Sequence, residues 1–471
     1  MDRSSILYAN SDATVILVDI PCSIESAQEP ENRNPTHYLL SSAAPLQPFP
    51  STEPKSAKAK ARLGVSEPSL SDQLLRRHLE LALQDVRENY TGPWCRPRYT
   101  STHPSLMRKR KREQFKSSPD GERNRAAKSI GFTREKWHSC VPAACQYASD
   151  VDREISPLVC GHGPISCAHV SPSRSGAYSV SLKSYGCSDT SRTHGRFAIS
   201  PEEKVQCASV GEAFSLPPGS RYISGTIEAT NETFKFSAPK FDLVVIDPPW
   251  PNKSALRKRA YTTAPTTPSI KHLLSLLPLP LHLTDTSLVA IWITNKPAFR
   301  ALVLDPTGLF DAWGVTLVEE WVWLKTTLSG DPIQALDSAW RKPWEVLLVG
   351  KRGVHRDFKV KRRVVIAVPD LHSRKPCLKM VLDAILKVQP EGGGASESGS
   401  VIEGLKDKYQ GLEIFARNLT SGWWSWGDEV LKFQDKNCWI GKEEAAMLLD
   451  EQEQEKEAMR DGEKDEKPDN N

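Results

Sequence analysis

The chain has 471 residues, 62 Lys and Arg against 58 Asp and Glu, and 39% hydrophobic residues, enough for one large core or two modest ones with part of the chain left over. Its 35 prolines, its mean hydropathy of −0.45 and the lack of any apolar run long enough to cross a bilayer exclude a protein spanned by membrane helices. A net charge of +4 is too small to prove a nucleic-acid partner, and the first residues lack the layout of a signal peptide, so the ten cysteines are expected as thiols in a reducing compartment.

Residues 14–21 read as one short buried strand, after which Pro, Ser, Glu and Asn dominate to about Ala61; residues 1–70 are expected to be a strand followed by a disordered linker. From Ser71, Leu74, Leu75, Leu79 and Leu83 fall at helical spacing, which predicts an amphipathic helix that ends before Gly92 and needs a partner surface. Residues 71–139 are read as an accessory region. It carries five consecutive cations from Arg108 to Arg112. Such a run is a solvated face, a phosphate-contacting arm or a nuclear-import signal, and the last predicts a nuclear protein, with a cytoplasmic pool as a further possibility.

Six cysteines, Cys140, Cys145, Cys160, Cys167, Cys187 and Cys207, lie in 140–211 with His162 and His169. No C-x-x-C pair occurs, so structural zinc is not expected. The stretch reads as a low-order Cys- and Ser-rich insertion, either genuine or, from Cys145 to Arg196, translated intron sequence.

From 212 to 440 the character changes. Short β-rich apolar runs at 241–246, 288–294, 315–325, 346–350, 364–368 and 412–415 are separated by helical candidates at 269–277 and 378–387, which predicts an α/β layered sheet. The Gly/Ser/Glu run 391–404 follows a helix and lacks G-x-G-x-x-G, so it is a flexible surface insertion. Residues 441–471 are expected to be an acidic disordered tail.

The sharpest feature is FDLVVIDPPWPNKS, in which a buried run delivers Asp247, Pro248, Pro249 and Trp250 to a strand's carboxyl end, where open α/β sheets bind ligands. With VIDPPWPNKS from Val245, KPWEVLLVG from Lys342, HSRKP from His372 and EIFARNLTSGWWSWGDEVLKFQ from Glu413, the chain resembles the adenine-N(6) methyltransferase family named for a 70-kDa mRNA adenosine methyltransferase subunit. Within it, the wording of these blocks resembles that of the methyltransferase-like protein 4 subgroup. The likeness spans roughly 214–434.

That resemblance implies a Rossmann-like, S-adenosylmethionine-dependent methyltransferase sheet of permuted motif order, in which the catalytic tetrapeptide precedes the cofactor-binding strand. The implied reaction methylates the exocyclic N6 amine of adenine in nucleic acid. RNA is expected over DNA, with a 2′-O-methylated adenosine of small nuclear RNA as one candidate, and no metal is required. Asp247 and the Pro248 carbonyl would accept the two amine N–H groups, and Trp250 would offer a face for the base. By the same resemblance Phe415 lines the cofactor adenine, Arg417 and Asn418 reach its ribose, and Lys375, with Ser373 beside it, lies near the cofactor carboxylate or the target base. Glu345 and Tyr261 shape the acceptor pocket, with Asn252 and Lys253 after the tetrapeptide on the substrate side. Thr226, Ile227, Asp428 and Glu429 complete the cofactor set.

Two positions depart from the subgroup: Asp428 replaces an Asn, and Thr226 replaces an Asp. They motivate a rival reading, a catalytically silent nucleic-acid-binding scaffold. A small-molecule amine methyltransferase is a third, which would leave Arg257, Lys258 and Arg259 without a phosphate partner. Oligomeric state stays open.

Overall fold

The structure, a computed structural model, describes residues 4–29, 36–51, 69–100, 166–172, 178–181, 214–251, 266–338, 341–354, 359–371, 374–387 and 408–451, with isolated positions beside them. Strands β1 (Ile6–Ala9) and β2 (Val15–Val18) form an antiparallel hairpin, closed where the Asn10 side-chain oxygen accepts the Val15 N–H at 2.9 Å. Asp19 then caps α1 (Ile20–Gln28) by accepting the Cys22 N–H at 2.9 Å, with Pro21 in the first turn, where its missing N–H costs nothing. The Leu39 N–H of β3 (His37–Ser41) donates to the buried Glu25 carboxylate at 2.8 Å.

These two elements occupy the stretch expected as a linker. Ile20, Ile24 and Ala27 make one buried helical stripe, but it is short and set among Ser, Glu and Pro. Glu25, polar in the sequence, points inward to a backbone partner.

The predicted amphipathic helix is α2 (Leu70–Asn89), opened by a Ser69 and Asp72 capping box. It buries Leu79, Ala82, Leu83 and Val86 in the core cluster that includes Val15 and Leu17 of β2, so the partner surface is the chain's own sheet. After β4 (Tyr99–Thr100), the basic run Arg108 to Arg112 lies outside the described residues. The expected insertion contains β5 (Ser166–Pro172) and β6 (Tyr178–Ser181), and its other residues, Cys140, Cys145, Cys160, Cys187 and Cys207 among them, also lie outside.

The remaining elements alternate as the apolar runs predict. They are β7 (Arg221–Ser224), α3 (Ile227–Ser237), β8 (Phe241–Ile246), α4 (Thr267–Ser275), α5 (Leu279–His282), β9 (Leu283–Ile293), α6 (Pro297–Leu304), α7 (Leu309–Trp313) and β10 (Val315–Lys325). Next come β11 (Trp344–Arg352), β12 (Lys361–Ala367), α8 (Leu378–Lys387), β13 (Gly411–Ile414), β14 (Trp424–Gly427) and β15 (Trp439–Gly441). Residues 442–451 are helical, with Ala445 buried against Leu40, Tyr99 and Ile440, so the expected acidic tail begins as a packed element.

A 12-stranded sheet runs in the order β1-β2-β12-β10-β11-β9-β8-β13-β14-β7-β5-β6, and a smaller sheet in the order β15-β3-β4. The block β9-β8-β13-β14-β7 is parallel throughout, whereas β11 runs antiparallel to both β9 and β10. Alternate residues of each central strand enter opposite cores. Val244 and Ile246 of β8 join Val289 and Ile291 on the face covered by α2, α3 and α4, while Leu243 and Val245 join Ala290 and Trp292 on the face covered by α1 and α8. This mixed α/β sheet is the expected fold class, and both faces must be covered because both sets of side chains are apolar. Among the described residues, no helix is long and apolar enough to cross a membrane.

Candidate active site

In this sheet β8 has β9, which follows it in the chain, on one side and the much later β13 on the other. Such a reversal of strand order opens a crevice beyond the carboxyl ends, and Asp247 stands there as the first residue after β8. Its N–H donates to Ile414 O at 3.2 Å. The next turn is tight: Pro248 O accepts the Trp250 N–H at 2.8 Å, and Pro249 O accepts the Ala264 N–H at 2.8 Å. Pro248 thereby keeps one carbonyl lone pair for another donor.

Trp250 does not present the open face expected of it. It is 6% exposed, its indole N–H donates to Trp292 O at 2.7 Å, and its ring stacks on Phe299 with centroids 4.5 Å apart. An apolar ring with its only donor satisfied gains more from the core than from water, so Trp250 braces the turn.

The charged residues join into one alternating chain across the strand ends. Lys375 Nζ lies 3.0 Å from Asp247 Oδ1 and 3.1 Å from Glu345 Oε2. Glu345 Oε1 lies 2.5 Å from Lys325 Nζ. On the other side, Arg417 Nη1 is 3.6 Å from Asp247 Oδ2 and its Nε is 3.1 Å from Glu429 Oε2, while Glu429 Oε1 takes Lys432 at 2.9 Å. Burial works against the charge on Lys375, yet Asp247 and Glu345 outweigh it and raise its pKa above the lysine value. Burial likewise opposes the Glu345 carboxylate, but Lys325 and Lys375 hold it well below the usual carboxylate range. Glu413 differs. Burial first, and then the neighbouring Asp247 charge, push its carboxyl up to about 7.

A cavity beside Asp247 is lined by Arg374, Lys375, Glu413, Phe415, Arg417 and Asn418, among others. Phe415 has φ 61°, a left-handed conformation that a bulky residue adopts only where its surroundings enforce it. Here its N–H donates to Trp426 O at 2.6 Å, and a side chain at Gly427 (φ 151°) would crowd the Phe415 backbone at 3.1 Å.

Four expected cofactor residues are not among those that line this cavity. Thr226 uses its hydroxyl to cap α3, accepting the Ala229 N–H, and Ile227 is 2% exposed in the core. Asp428 is exposed, and Glu429 acts on Arg417 rather than lining the cavity. Asn252, Lys253, Tyr261 and Ser373 lie outside the described residues.

The sequence reading missed Lys325, Glu413, Arg374 and Arg98. Lys325 ends a β-rich run, Glu413 opens the quoted block that begins EIFARN, and Arg374 lies in HSRKP. Arg98 comes from far upstream: its guanidinium donates to Val368 O and Pro369 O at 2.8 Å and to Ser42 O at 3.2 Å. Asp370 accepts from the Ser42 N–H at 2.8 Å and lies 2.6 Å from Arg374 Nη1, which also donates to Leu40 O at 2.9 Å. The N-terminal segments thus hold the loop that presents Lys375.

The cavity fits a zwitterionic sulfonium cofactor by its donor set. Glu413 and Asp247 supply negative charge for an ammonium or sulfonium, whereas Arg374, 2% exposed, keeps Nε and Nη2 without hydrogen-bond partners beside it. A buried guanidinium with unmet donors suits a carboxylate.

The MT-A70 family model matches residues 241–429. The chain is 34% identical over 449 residues to the N6-methyladenosine RNA methyltransferase MTA1 of Cryphonectria parasitica, with 93% of this chain and 95% of that one covered. Against the protein of the same name in Pyricularia oryzae it is 33% identical over 460 residues, covering 93% and 96%. The N(6)-adenine-specific methyltransferase METTL4 of Mus musculus is 33% identical over 246 residues, covering 50% of this chain and 46% of its own. The likeness to the two MTA1 proteins therefore takes in the N-terminal segments that pack against the site as well as the DPPW block. Identity at this level along nearly the whole length places the protein in the MT-A70 family, as an adenine-N6 methyltransferase of RNA or DNA.

Proposed function

We propose that the protein transfers a methyl group from S-adenosylmethionine to the N6 amine of an adenosine in RNA, within the nucleus. The observation that carries the reading is Asp247, presented at the switch point of the sheet between Lys375 and Arg417. The exocyclic amine of adenine is a weak nucleophile because its lone pair is delocalised into the ring. Asp247 accepts one amine N–H and the free lone pair of Pro248 O accepts the other, which draws the nitrogen toward tetrahedral geometry and localises its lone pair. Lys375 pairs with one Asp247 oxygen and Arg417 with the other, which fixes the carboxylate in place for this role. S-adenosylmethionine supplies an electrophilic methyl group on its sulfonium. Arg374, Glu413, Phe415, Arg417 and Asn418 line the space that would bind it.

RNA is preferred to DNA because the two relatives matched along nearly their whole length are named RNA methyltransferases. A 2′-O-methylated adenosine is the candidate acceptor within that class. Nuclear location follows from the Arg108 to Arg112 run. The scaffold alternative rests on Asp428 and Thr226; against it, neither residue is among those that line the cavity, and the Thr226 hydroxyl is engaged in capping α3.

The test is to incubate the purified protein with labelled S-adenosylmethionine and parallel RNA and DNA oligonucleotides, with and without 2′-O-methyl groups, and to identify the methylated nucleoside. N6-methyladenosine in RNA is expected, with Asp247→Ala at least about a hundredfold slower at unchanged circular dichroism. Label confined to DNA would refute the RNA assignment. Absence of cofactor binding by calorimetry, with RNA still bound, would support the scaffold.

A further inference from the structure

Glu345 stands between two lysines, and each lysine is seated on a tryptophan. Lys325 Nζ lies 4.4 Å from the centre of the Trp323 ring and Lys375 Nζ lies 5.3 Å from that of Trp292. The two indoles meet edge to face at 6.1 Å, and both are 3% exposed. Three adjacent strands build this cradle: β10 supplies Trp323 and Lys325, β11 supplies Glu345 opposite Trp323, and β9 supplies Trp292. All three charged side chains are mostly shielded from water, with relative exposures of 21% for Lys325, 28% for Glu345 and 16% for Lys375.

The Lys325 backbone is fixed as well, its N–H donating to Pro343 O at 2.8 Å. Each Glu345 oxygen has its own cation, Oε1 with Lys325 and Oε2 with Lys375. Lys375 in turn divides its charge between Glu345 and Asp247. How far Lys375 leans toward Asp247 therefore depends on whether Oε1 is already satisfied.

We propose that Lys325 is a positioning residue for methyl transfer: by holding Oε1 of Glu345 it fixes Oε2 on Lys375 and so sets the place of Lys375 against Asp247. The proposal rests on the methyltransferase reading of Asp247 and adds a residue that touches neither substrate nor cofactor. Without Lys325, Oε1 is left half-buried and unpaired and draws Lys375 away from Asp247. Lys325 and Lys375 are the cations that hold the Glu345 carboxylate low, so losing one moves its protonation upward, and a protonated Glu345 no longer holds Lys375.

The test measures methyl transfer to an RNA oligonucleotide by wild type, Lys325→Met, Lys325→Gln, Lys325→Arg, Glu345→Gln and the double variant Lys325→Gln/Glu345→Gln, from about pH 5 to about pH 9. Lys325→Met and Lys325→Gln should lower kcat about tenfold to a hundredfold, the scale of a small misplacement of a reacting group, with KM for the cofactor within about twofold. Their acid limb should move to higher pH, and Lys325→Arg should restore most of the rate. The double variant should be no slower than Glu345→Gln alone, because both changes break one linkage. A wild-type kcat and pH profile in whichever of Lys325→Met and Lys325→Gln folds, or strictly additive losses in the double variant, would overturn the proposal. Full turnover by Asp247→Ala, measured beside these variants, would instead sink the functional reading beneath it.

Discussion

Glu413→Gln should make the protein without cofactor more stable at alkaline pH and leave it unchanged at acidic pH. In the folded chain the Glu413 carboxyl titrates near 7, against an ordinary 4.5. Below about pH 4.5 it is protonated in both folded and unfolded states and contributes nothing. As pH rises toward 7 the unfolded state loses its proton freely while the folded state keeps it, so folded stability falls over that window and stays lower above it. The gap between 4.5 and about 7 corresponds to about 3 kcal/mol at 1.36 kcal/mol per pKa unit. Glu413 is half-buried, so solvent screening reduces this to about 1–2 kcal/mol. Glutamine keeps the shape and never ionises. Its Tm should exceed that of wild type at about pH 8 by about 2–8 °C, at roughly 2–4 °C per kcal/mol, and match it at about pH 3.5. The assay is a pair of thermal melts without cofactor, because a bound cation would offset the penalty. An equal Tm difference at both pH values would refute the reasoning.

Trp250→Ala should behave as a core deletion, costing about 3–5 kcal/mol of stability in denaturant titrations, since the ring stacks on Phe299 and its indole N–H is bonded; an unchanged midpoint with weaker RNA binding would restore its role as a base platform. Arg98→Met should lower kcat as well as Tm, because it removes the donor that meets three backbone carbonyls of the loop presenting Lys375 and of Ser42; stability loss with normal kcat in the cold would limit Arg98 to folding. Asp428→Asn should leave cofactor affinity within about twofold, as expected of an exposed side chain outside the cavity, and a larger change by calorimetry would return that position to the site. Replacing Arg108 to Arg112 with Ala should leave the protein cytoplasmic by microscopy; retained nuclear signal with a shallower salt dependence of RNA binding would instead mark a phosphate-contacting arm.

The sheet was legible wherever burial on both faces leaves a continuous apolar run. Residues 241–246, 315–325 and 378–387 were bounded to the residue, because Asp-Pro-Pro, Lys-Thr-Thr and Pro-Cys mark ends that local chemistry enforces. By contrast α1 and β3 escaped, since their burial depends on Glu25 finding the Leu39 N–H, a tertiary event with no periodic trace. The same limit applies at the site. Asp247, Lys375, Glu345 and Arg417 were each found through motif wording. Their order as one chain of alternating charge, with Lys325 at one end, follows from strand order, because β10 and β11 are neighbours of β9 while β13 arrives from the far end of the sequence. Trp250 was misjudged because an aromatic beside a catalytic acid reads equally well as platform or brace until its neighbours Trp292 and Phe299 are known.

The contact of Arg98 with Val368 and Pro369, together with that of Arg374 with Leu40, bears on inheritance and dissection of the protein. The segment recognised by the family model begins at 241, after every one of these upstream partners. A fragment cut at that border would carry each motif residue yet lack half the floor under Lys375. Substitutions at Arg98 should therefore surface in genetic screens as losses of catalysis, far from the motif in sequence. Across descendants, Asp370 and Arg374, joined side chain to side chain, should change together or not at all.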